Sequence, residues 1–178
     1  MPDGAVIRVA DAADAELLAT VGSSTFRDAY GEHSKPADLE THLANNFSLR
    51  AVQKEIAGGQ CTYLLAMLND MPCGMAKYRN AACPVPGGDD NAIEVQQLYV
   101  LDASQGHGIG RKLMERVSDD GRQRGVAGIW LSAWELADWA TGFYVRAGFT
   151  DIGKVQFKVG ETSYTDLLMW RPLAESAG

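Results

Sequence analysis

A segment that passes from a strand into a glycine-rich turn and then into a helix constrains this sequence more than any other feature. Residues 93–101 are rich in Val, Ile, Leu and Tyr, and polar residues alternate with them at the start, which predicts a β-strand. Three glycines follow at alternate positions, Gly106, Gly108 and Gly110. Apolar residues then recur at helical spacing, at Ile109, Leu113 and Val117. The segment therefore predicts a strand, a turn and an amphipathic helix in direct succession.

The predicted start of this helix is suited to hold an anion. The first N–H groups of a helix have no partner within it, and they carry the positive end of the helix dipole. Glycine lets the backbone approach a ligand and adopt positive φ angles. Arg111 and Lys112 are cations in the first turn, where the dipole opposes them, and a bound anion would offset both. The alternative for these two side chains is exposure to water.

The spacing of the glycines excludes two common nucleotide-binding motifs. The Rossmann pattern needs a third glycine where Arg111 stands, and the P-loop pattern needs a Gly-Lys-Ser/Thr ending that the sequence lacks. Residues 105–110, Gln-Gly-His-Gly-Ile-Gly, instead resemble the acyl-CoA-binding signature Gln/Arg-x-x-Gly-x-Gly/Ala of the GNAT superfamily of N-acetyltransferases.

This resemblance implies an α/β fold with a mixed, mostly antiparallel central sheet flanked by helices, in which a splayed pair of strands binds acyl-CoA. It implies acetyl-CoA as the cofactor. The loop and the helix start would hold the pyrophosphate of coenzyme A, and the residues concerned are Gln105, Gly106, His107, Gly108, Ile109, Gly110, Arg111 and Lys112. Backbone N–H groups near Leu98, Tyr99 and Val100 would bind the acetyl carbonyl and the pantetheine arm.

Length and composition narrow the class of protein. With 178 residues, 46% of them apolar, the chain fits one domain spanning residues 1–178. No apolar stretch is long enough to span a bilayer and no signal-peptide pattern is present, so a cytoplasmic protein without membrane association is expected. The net charge of −7 argues against nucleic-acid binding and suits a cationic substrate. The three cysteines and three histidines lack metal-ligand spacing, so we expect no metal site.

The predicted strands and helices follow the order typical of the GNAT superfamily along nearly the entire chain. Strands are predicted at residues 5–10, 61–68, 73–78, 93–101, 126–133, 149–159 and 164–171, and helices at 13–23, 36–46, 48–57, from Ile109 to near Gly125, and 135–147. This order of strands and helices suits a mixed α/β sheet.

Aromatic residues are candidates for the wall of a substrate pocket. Phe26 and Tyr30 are four positions apart, so they share one face of a helix. Packing in the core is the alternative for both. Their segment, 24–31, is similar to the first helix-loop-helix of many GNAT members, including polyamine acetyltransferases of the PaiA type, where it walls the acceptor-amine site. Trp134 and Trp139 could border the same pocket or close the core.

Tyr144 is the candidate general acid. Residues 137–149 resemble the family's pattern Asn-x-x-Ala-x-x-Phe-Tyr-x-x-x-Gly-Phe, and the matching residues are Ala140, Phe143, Tyr144, Gly148 and Phe149. The resemblance implies that the Tyr144 hydroxyl lies near the sulfur of coenzyme A, where a protonated phenol can donate to the leaving thiolate. The chain has Ala137 where the family usually has Asn. This could mean a shifted register, a substitute contact from Asp138 or Ser132, or looser binding of coenzyme A.

Glu94 is the candidate general base. It lies eleven positions before Gln105, the place from which some GNAT members supply the base. Alternation along the strand predicts that Glu94, Gln96, Leu98 and Val100 share one face. If that face lines the cleft, Glu94 could take the proton of the amine and Gln96 could orient the substrate. The alternative is a carboxylate exposed to water at the start of the strand.

The sequence thus predicts an N-acetyltransferase that moves an acetyl group from acetyl-CoA to a primary amine, on a small molecule or a peptide, by direct attack in a ternary complex. Two alternatives stay open. One is a non-catalytic, CoA-binding sensor or interaction domain, which Ala137 favours. The other is a transferase that uses a longer acyl-CoA. The resemblance also implies a possible homodimer through the final strands.

Overall fold

A seven-stranded sheet runs through residues 4–173, the part of the chain that the computed structural model describes. Its strands are Val6–Val9 (β1), Thr62–Leu68 (β2), Met71–Asn80 (β3), Ala92–Val100 (β4), Gly128–Trp134 (β5), Thr150–Val159 (β6) and Thr162–Pro172 (β7). Their spatial order is β1-β2-β3-β4-β5-β7-β6, and only β4 and β5 among these strands are parallel. The predicted mixed, mostly antiparallel sheet is confirmed.

Helices cover both faces of the sheet. They are Ala15–Tyr30 (α1), Pro36–Phe47 (α2), Leu49–Gly58 (α3), Ile109–Arg124 (α4) and Asp138–Arg146 (α5). On one face, Leu113 and Val117 of α4 pack in a fully buried cluster with Ile93 of β4. On the other face, Leu18 of α1 is buried against Leu65. Each such side chain stabilises the fold by about 1.5–3 kcal/mol, so the two layers fix the sheet between them.

Helix α1 is longer than the sequence predicted. A helix was predicted at residues 13–23, and Phe26 and Tyr30 were predicted to share one helical face beyond it, whereas α1 continues unbroken to Tyr30. The Thr25 hydroxyl donates a 2.7 Å bond to the Val21 carbonyl in the preceding turn, so it does not compete with the helix for its N–H groups. Phe26 anchors the last turns in the core. Because the helix is continuous, Phe26 and Tyr30 lie one turn apart and their rings stack.

The parallel pair of β4 and β5 separates soon after it begins. Only three residues of each strand are paired, Ala92–Glu94 with Gly128–Trp130. Beyond Glu94, β4 continues for six residues without a β5 partner. This splay was expected from the family resemblance, and it opens a gap in the middle of the sheet.

A β-bulge in β4 lies at the point of separation. Tyr78 of β3 is opposite Val95, but the preceding residue, Lys77, is opposite Gln97, so Gln96 is the extra residue. The alternation of faces therefore shifts by one. Val95 before the bulge and Leu98 after it pack on the α4 side of the sheet. Glu94 thus lies on the opposite face from Leu98, and the predicted shared face is wrong.

The described residues contain no helix with the length and apolar character needed to cross a membrane.

A substitution at Gly128 tests how closely β5 packs against β7 beside the splayed strands. A Cβ at this position would lie 2.5 Å from the Trp170 ring and 2.6 Å from the Arg171 carbonyl oxygen, and the backbone atom cannot move aside. We expect Gly128→Ala to lower the free energy of unfolding by about 1–3 kcal/mol, the usual cost of overpacking. Urea unfolding of the variant and the wild type measures this difference in free energy. The matched control is Gly58→Ala at the end of α3, where a Cβ meets nothing within 4 Å. Equal losses in both variants would contradict this packing.

Candidate active site

A cleft of about 570 Å³ occupies the gap between the splayed strands. The second half of β4, the end of β5, the glycine turn, α5, α1 and the β6–β7 hairpin all contribute to its lining. Three charged side chains line it, Arg111, Arg146 and Asp166. The two arginines belong to the helices beside the glycine turn, and Asp166 belongs to β7. The cleft therefore has ends of opposite charge.

The glycine turn presents a row of N–H groups. Gly106 and Gly108 have φ angles of 81° and 74°, and Gly108 immediately precedes α4. The N–H groups of residues 106–111, here called the glycine cradle, make no hydrogen bond with a described residue, whereas the N–H of Gln105 donates to Asp102 and that of Lys112 donates to Gly108. Six unpaired donors at a helix start are an arrangement suited to an anion.

Most of the predicted cofactor residues line the cleft together. They are Leu98, Tyr99, Val100, Gln105, Gly106, Gly108, Ile109, Gly110 and Arg111. The Gln105 amide donates to the Val100 carbonyl over 3.2 Å, which ties the turn to the end of β4. His107 and Lys112 are not part of the lining: the His107 ring bonds to the Ser104 carbonyl, and the Lys112 ammonium lies against Gly4.

Tyr144 also lines the cleft, from α5. Its ring packs edge-on against Phe143 and Phe149, with centroids 5.3 and 5.7 Å away. Burial raises the pKa of the Tyr144 hydroxyl above its ordinary value. The hydroxyl makes no hydrogen bond with a described residue, so a protonated donor is held free in the cleft. Of the two residues considered as replacements for the missing Asn at Ala137, Ser132 lines the cleft and Asp138 does not.

Glu94 lies outside the cleft. It lies where β4 is still paired with β5, and its Oε2 accepts a 2.6 Å hydrogen bond from Arg79 Nε. The carboxylate is paired with a cation and does not line the cavity. The structure therefore does not support the predicted base position, although Gln96, the predicted orienting residue, does line the cleft.

Aromatic side chains surround the end of the cleft that is remote from the glycine cradle. Phe26 and Tyr30 are stacked with ring centroids 4.4 Å apart, and Tyr30 lies 5.5 Å from Trp134 and 6.1 Å from Phe157. Together with Tyr99, these residues are called the aromatic chamber below. The predicted substrate residues Phe26, Tyr30 and Trp134 thus meet in one place, and Trp139 lies at the exposed edge of the cleft.

Asp166 is the buried carboxylate of this chamber, and the sequence analysis missed it. It lies on β7 directly opposite Trp134 of β5 and is only 4% exposed. Its Oδ1 has no hydrogen-bond partner among the described residues. Burial raises the pKa of Asp166 to about 6, with the Ser132 hydroxyl acting in the opposite direction. The charge of Asp166 also contributes, after burial, to the raised pKa of Tyr30.

A local signal for Asp166 did exist in the sequence. Tyr164, Asp166 and Leu168 alternate along β7, and all three are buried. An acidic residue between two apolar ones on the buried face of a strand is unusual, because an unpaired buried charge is costly.

The comparison with known proteins assigns the family. Residues 20–149 match the model of the acetyltransferase (GNAT) family, so the chain belongs to this family. An uncharacterized N-acetyltransferase of Lactobacillus delbrueckii subsp. lactis is 24% identical over 168 residues, which cover 94% of this chain and 96% of the relative. An uncharacterized N-acetyltransferase of Mycobacterium bovis is 26% identical over 160 residues, with 90% and 98% covered.

Solved structures share the fold. The PaiA N-acetyltransferase from Thermoplasma acidophilum, determined in complex with coenzyme A, superposes with a TM-score of 0.78 at 18% identity, covering 95% of this chain and 99% of that one. The structure of yncA from Salmonella typhimurium, determined with acetyl-CoA, superposes with a TM-score of 0.68 at 21% identity, with 99% and 98% covered. The fold class predicted from the sequence is therefore confirmed.

Replacement of Asp166 tests its burial. Because the folded-state pKa is raised from 3.8 to about 6, the stability that the neutral form provides is lost as the pH rises through that range. We expect Asp166→Asn to raise the free energy of unfolding at pH 7.5 by up to about 3 kcal/mol, and to have little effect near pH 4. Urea unfolding of variant and wild type at both pH values measures the difference. Asp70→Asn, in an exposed turn, is the control. A destabilised Asp166→Asn at pH 7.5 would contradict the unpaired state of this carboxylate.

Proposed function

We propose that this protein is an acetyl-CoA-dependent N-acetyltransferase that acetylates a primary amine by direct attack. One observation carries the proposal: the glycine cradle, Tyr144 and Asp166 line the same cleft. The proposal assigns to them, in turn, the binding of an anionic acetyl donor, the donation of a proton and the acceptance of a proton. Membership of the family supports an acetyltransferase, and the residues of this chain indicate how it would act.

The cleft suits acetyl-CoA, the acetyl donor that GNAT acetyltransferases use. The glycine cradle would hold the pyrophosphate, and the cations of Arg111 and Arg146 line the same end of the cleft. Backbone groups of β4 beyond Glu94, left without partners by the splay, would hold the pantetheine arm and the acetyl carbonyl. Acetyl-CoA supplies a thioester carbonyl to the amine and leaves as the free thiol.

Asp166 is the residue that would take the proton of the amine. A carboxylate with a pKa of about 6 is mostly ionised at neutral pH and is still basic enough to accept a proton during the reaction. It is the only carboxylate among the described residues that line the cleft. Its free Oδ1 can accept a hydrogen bond from an incoming ammonium or amine.

Tyr144 is the residue that would protonate the leaving thiolate. As the bond between the amine nitrogen and the acetyl carbon forms, the carbon–sulfur bond breaks, and the thiolate takes the Tyr144 proton. Water then returns a proton to Tyr144 and removes one from Asp166, so the enzyme ends as it began. The raised pKa keeps the phenol protonated before the reaction.

Direct attack needs no enzyme nucleophile, and the cleft does not provide one. Among the described residues, no cysteine lines it, and Cys73 and Cys83 are buried elsewhere, where burial raises the pKa of each thiol. The serines and threonines of the lining have no histidine beside them in the cleft to act as a base. A ternary complex is therefore the simpler route.

A titration with coenzyme A tests the glycine cradle. Gly108→Ala places a side chain on a residue of the cradle with a φ of 74°, a backbone conformation that strains any residue except glycine. We expect at least roughly tenfold weaker binding by calorimetry, because the strained turn can no longer hold six donors on one anion. Gly125→Ala, at the other end of α4, imposes the same backbone strain with a φ of 70° and similar open space. It is expected to bind coenzyme A as the wild type does, and equal loss in both variants would count against the cradle.

An acetylation assay tests the two proton-transfer roles. Pure protein is incubated with acetyl-CoA and a panel of primary amines, and released thiol is measured. We expect Asp166→Asn and Tyr144→Phe each to lower kcat by about 10²- to 10⁴-fold, the usual contribution of an acid or base. In the wild type, kcat/KM should fall as the pH drops below about 6, because protonated Asp166 cannot accept the proton. The hydroxyls of Tyr30, Tyr99 and Ser132, which neighbour Asp166, do not ionise in that range.

Glu94→Gln is the matched carboxylate control for this assay. It removes the same charge from a residue that lies outside the cleft, so activity should be retained. Loss of activity in Glu94→Gln together with an active Asp166→Asn would refute the assignment of the base. Tight binding of coenzyme A without acetylation of any amine would indicate the non-catalytic alternative.

A further inference from the structure

We infer that the acceptor is a monoamine, one primary ammonium on an apolar or aromatic body, and that the aromatic chamber rejects amines carrying a second cation. This inference rests on the proposed function and adds to it the class of substrate. Three observations support it: the aromatic walls of the chamber, its single carboxylate and the unpaired hydrogen-bond acceptors of the cleft.

The walls of the chamber suit an apolar body next to a cation. Phe26, Tyr30, Trp134 and Phe157 line the cleft and also pack against one another, with ring centroids 4.4–6.5 Å apart. The ring surfaces that line the cleft exclude water and can pack against methylene groups or a ring. A cation close to such faces is attracted by their π electrons.

The chamber can neutralise one ammonium and no more. Asp166 is the single carboxylate among the described residues that line the cleft. Three other acids on the surrounding elements have partners of their own and do not line the cleft: Glu135 pairs with Lys154, Glu40 pairs with Arg27 and Asp38 accepts from the N–H of Glu161. A second ammonium on the same substrate would enter an aromatic space without a counter-charge, and that costs several kcal/mol when the charge is desolvated.

The remaining titratable groups of the chamber supply no further negative charge. Burial keeps Tyr30 and Tyr99 protonated by raising the pKa of each hydroxyl. The Tyr164 hydroxyl already contacts Ser34 and the His33 carbonyl. His42 is stacked on Phe26, and burial lowers the pKa of its ring, which leaves it neutral.

Unpaired acceptors supply an independent observation. Three buried side-chain oxygens have no hydrogen-bond partner among the described residues, and they belong to Gln96, Gln97 and Asp166. All three residues line this one cleft. Native proteins leave few buried polar atoms unsatisfied, so their gathering here points to a donor-rich ligand group. A primary ammonium brings three donors and a single charge, and Asp166 is the one charged acceptor among these three residues.

A pair of amines of equal length tests the inference. Hexylamine and 1,6-diaminohexane differ only in the second ammonium, and 2-phenylethylamine adds an aromatic body. With the wild-type protein and saturating acetyl-CoA at pH 7.5, we expect kcat/KM for hexylamine to exceed that for the diamine by roughly tenfold or more. We expect 2-phenylethylamine to equal or exceed hexylamine. The disadvantage of the diamine should shrink as the pH rises toward about 10, because its second ammonium then loses its proton while Asp166 stays ionised.

The outcomes separate the inference from the function on which it rests. Acetylation of the diamine as fast as hexylamine, or a difference that does not change with pH, would overturn the inference and leave the acetyltransferase intact. Absence of thiol release with all three amines and with the wider panel, in protein that binds coenzyme A, would overturn the proposed function and the inference together.

Discussion

The early separation of β4 from β5 is the constraint on which the rest of this structure depends. The two strands pair over only three residues each, and the bulge at Gln96 lies just beyond the last pair. A continuous parallel ladder would have filled the gap with backbone hydrogen bonds and left no cleft. Because α4 holds one face of β4 and α1 holds the other, the strand keeps its course after it has lost its neighbour. The separation thus creates a polar backbone edge inside a well-packed sheet.

The cleft is organised by unpaired groups at both ends. At one end, six N–H groups at the start of α4 lack partners, and at the other end the Asp166 carboxylate is buried without a cation. The second arrangement is unfavourable for the protein alone, since a desolvated charge costs free energy, whereas most cradle residues are exposed and their N–H groups are open to water or to a ligand. Unpaired groups of this kind occur at functional sites, where a ligand supplies the missing partner and the protein is less stable without it. An anion at the cradle and a cation at Asp166 would satisfy both.

The sequence predicted those parts of the site that are local in the chain. The strand, the glycine turn and α4 are contiguous, so their pattern already contained the cradle, and the motif around Tyr144 covers α5 and the residues directly beside it. Parts that depend on distant partners could not be read in the same way. Glu94 was placed on the wrong face because one extra residue in β4 inverts the alternation. Asp166 was missed because its environment comes from Trp134 across the sheet and from the aromatic residues of α1.

A crystal structure of the protein with coenzyme A and an acetylated amine tests the central claim most directly. That claim is that one cleft holds the anion at one end and the amine at the other. The account predicts the diphosphate within hydrogen-bond distance of the N–H groups of residues 106–111, and the amide nitrogen of the product beside the Asp166 carboxylate. A diphosphate bound away from the glycine turn, or a product whose nitrogen lies out of reach of Asp166, would contradict it.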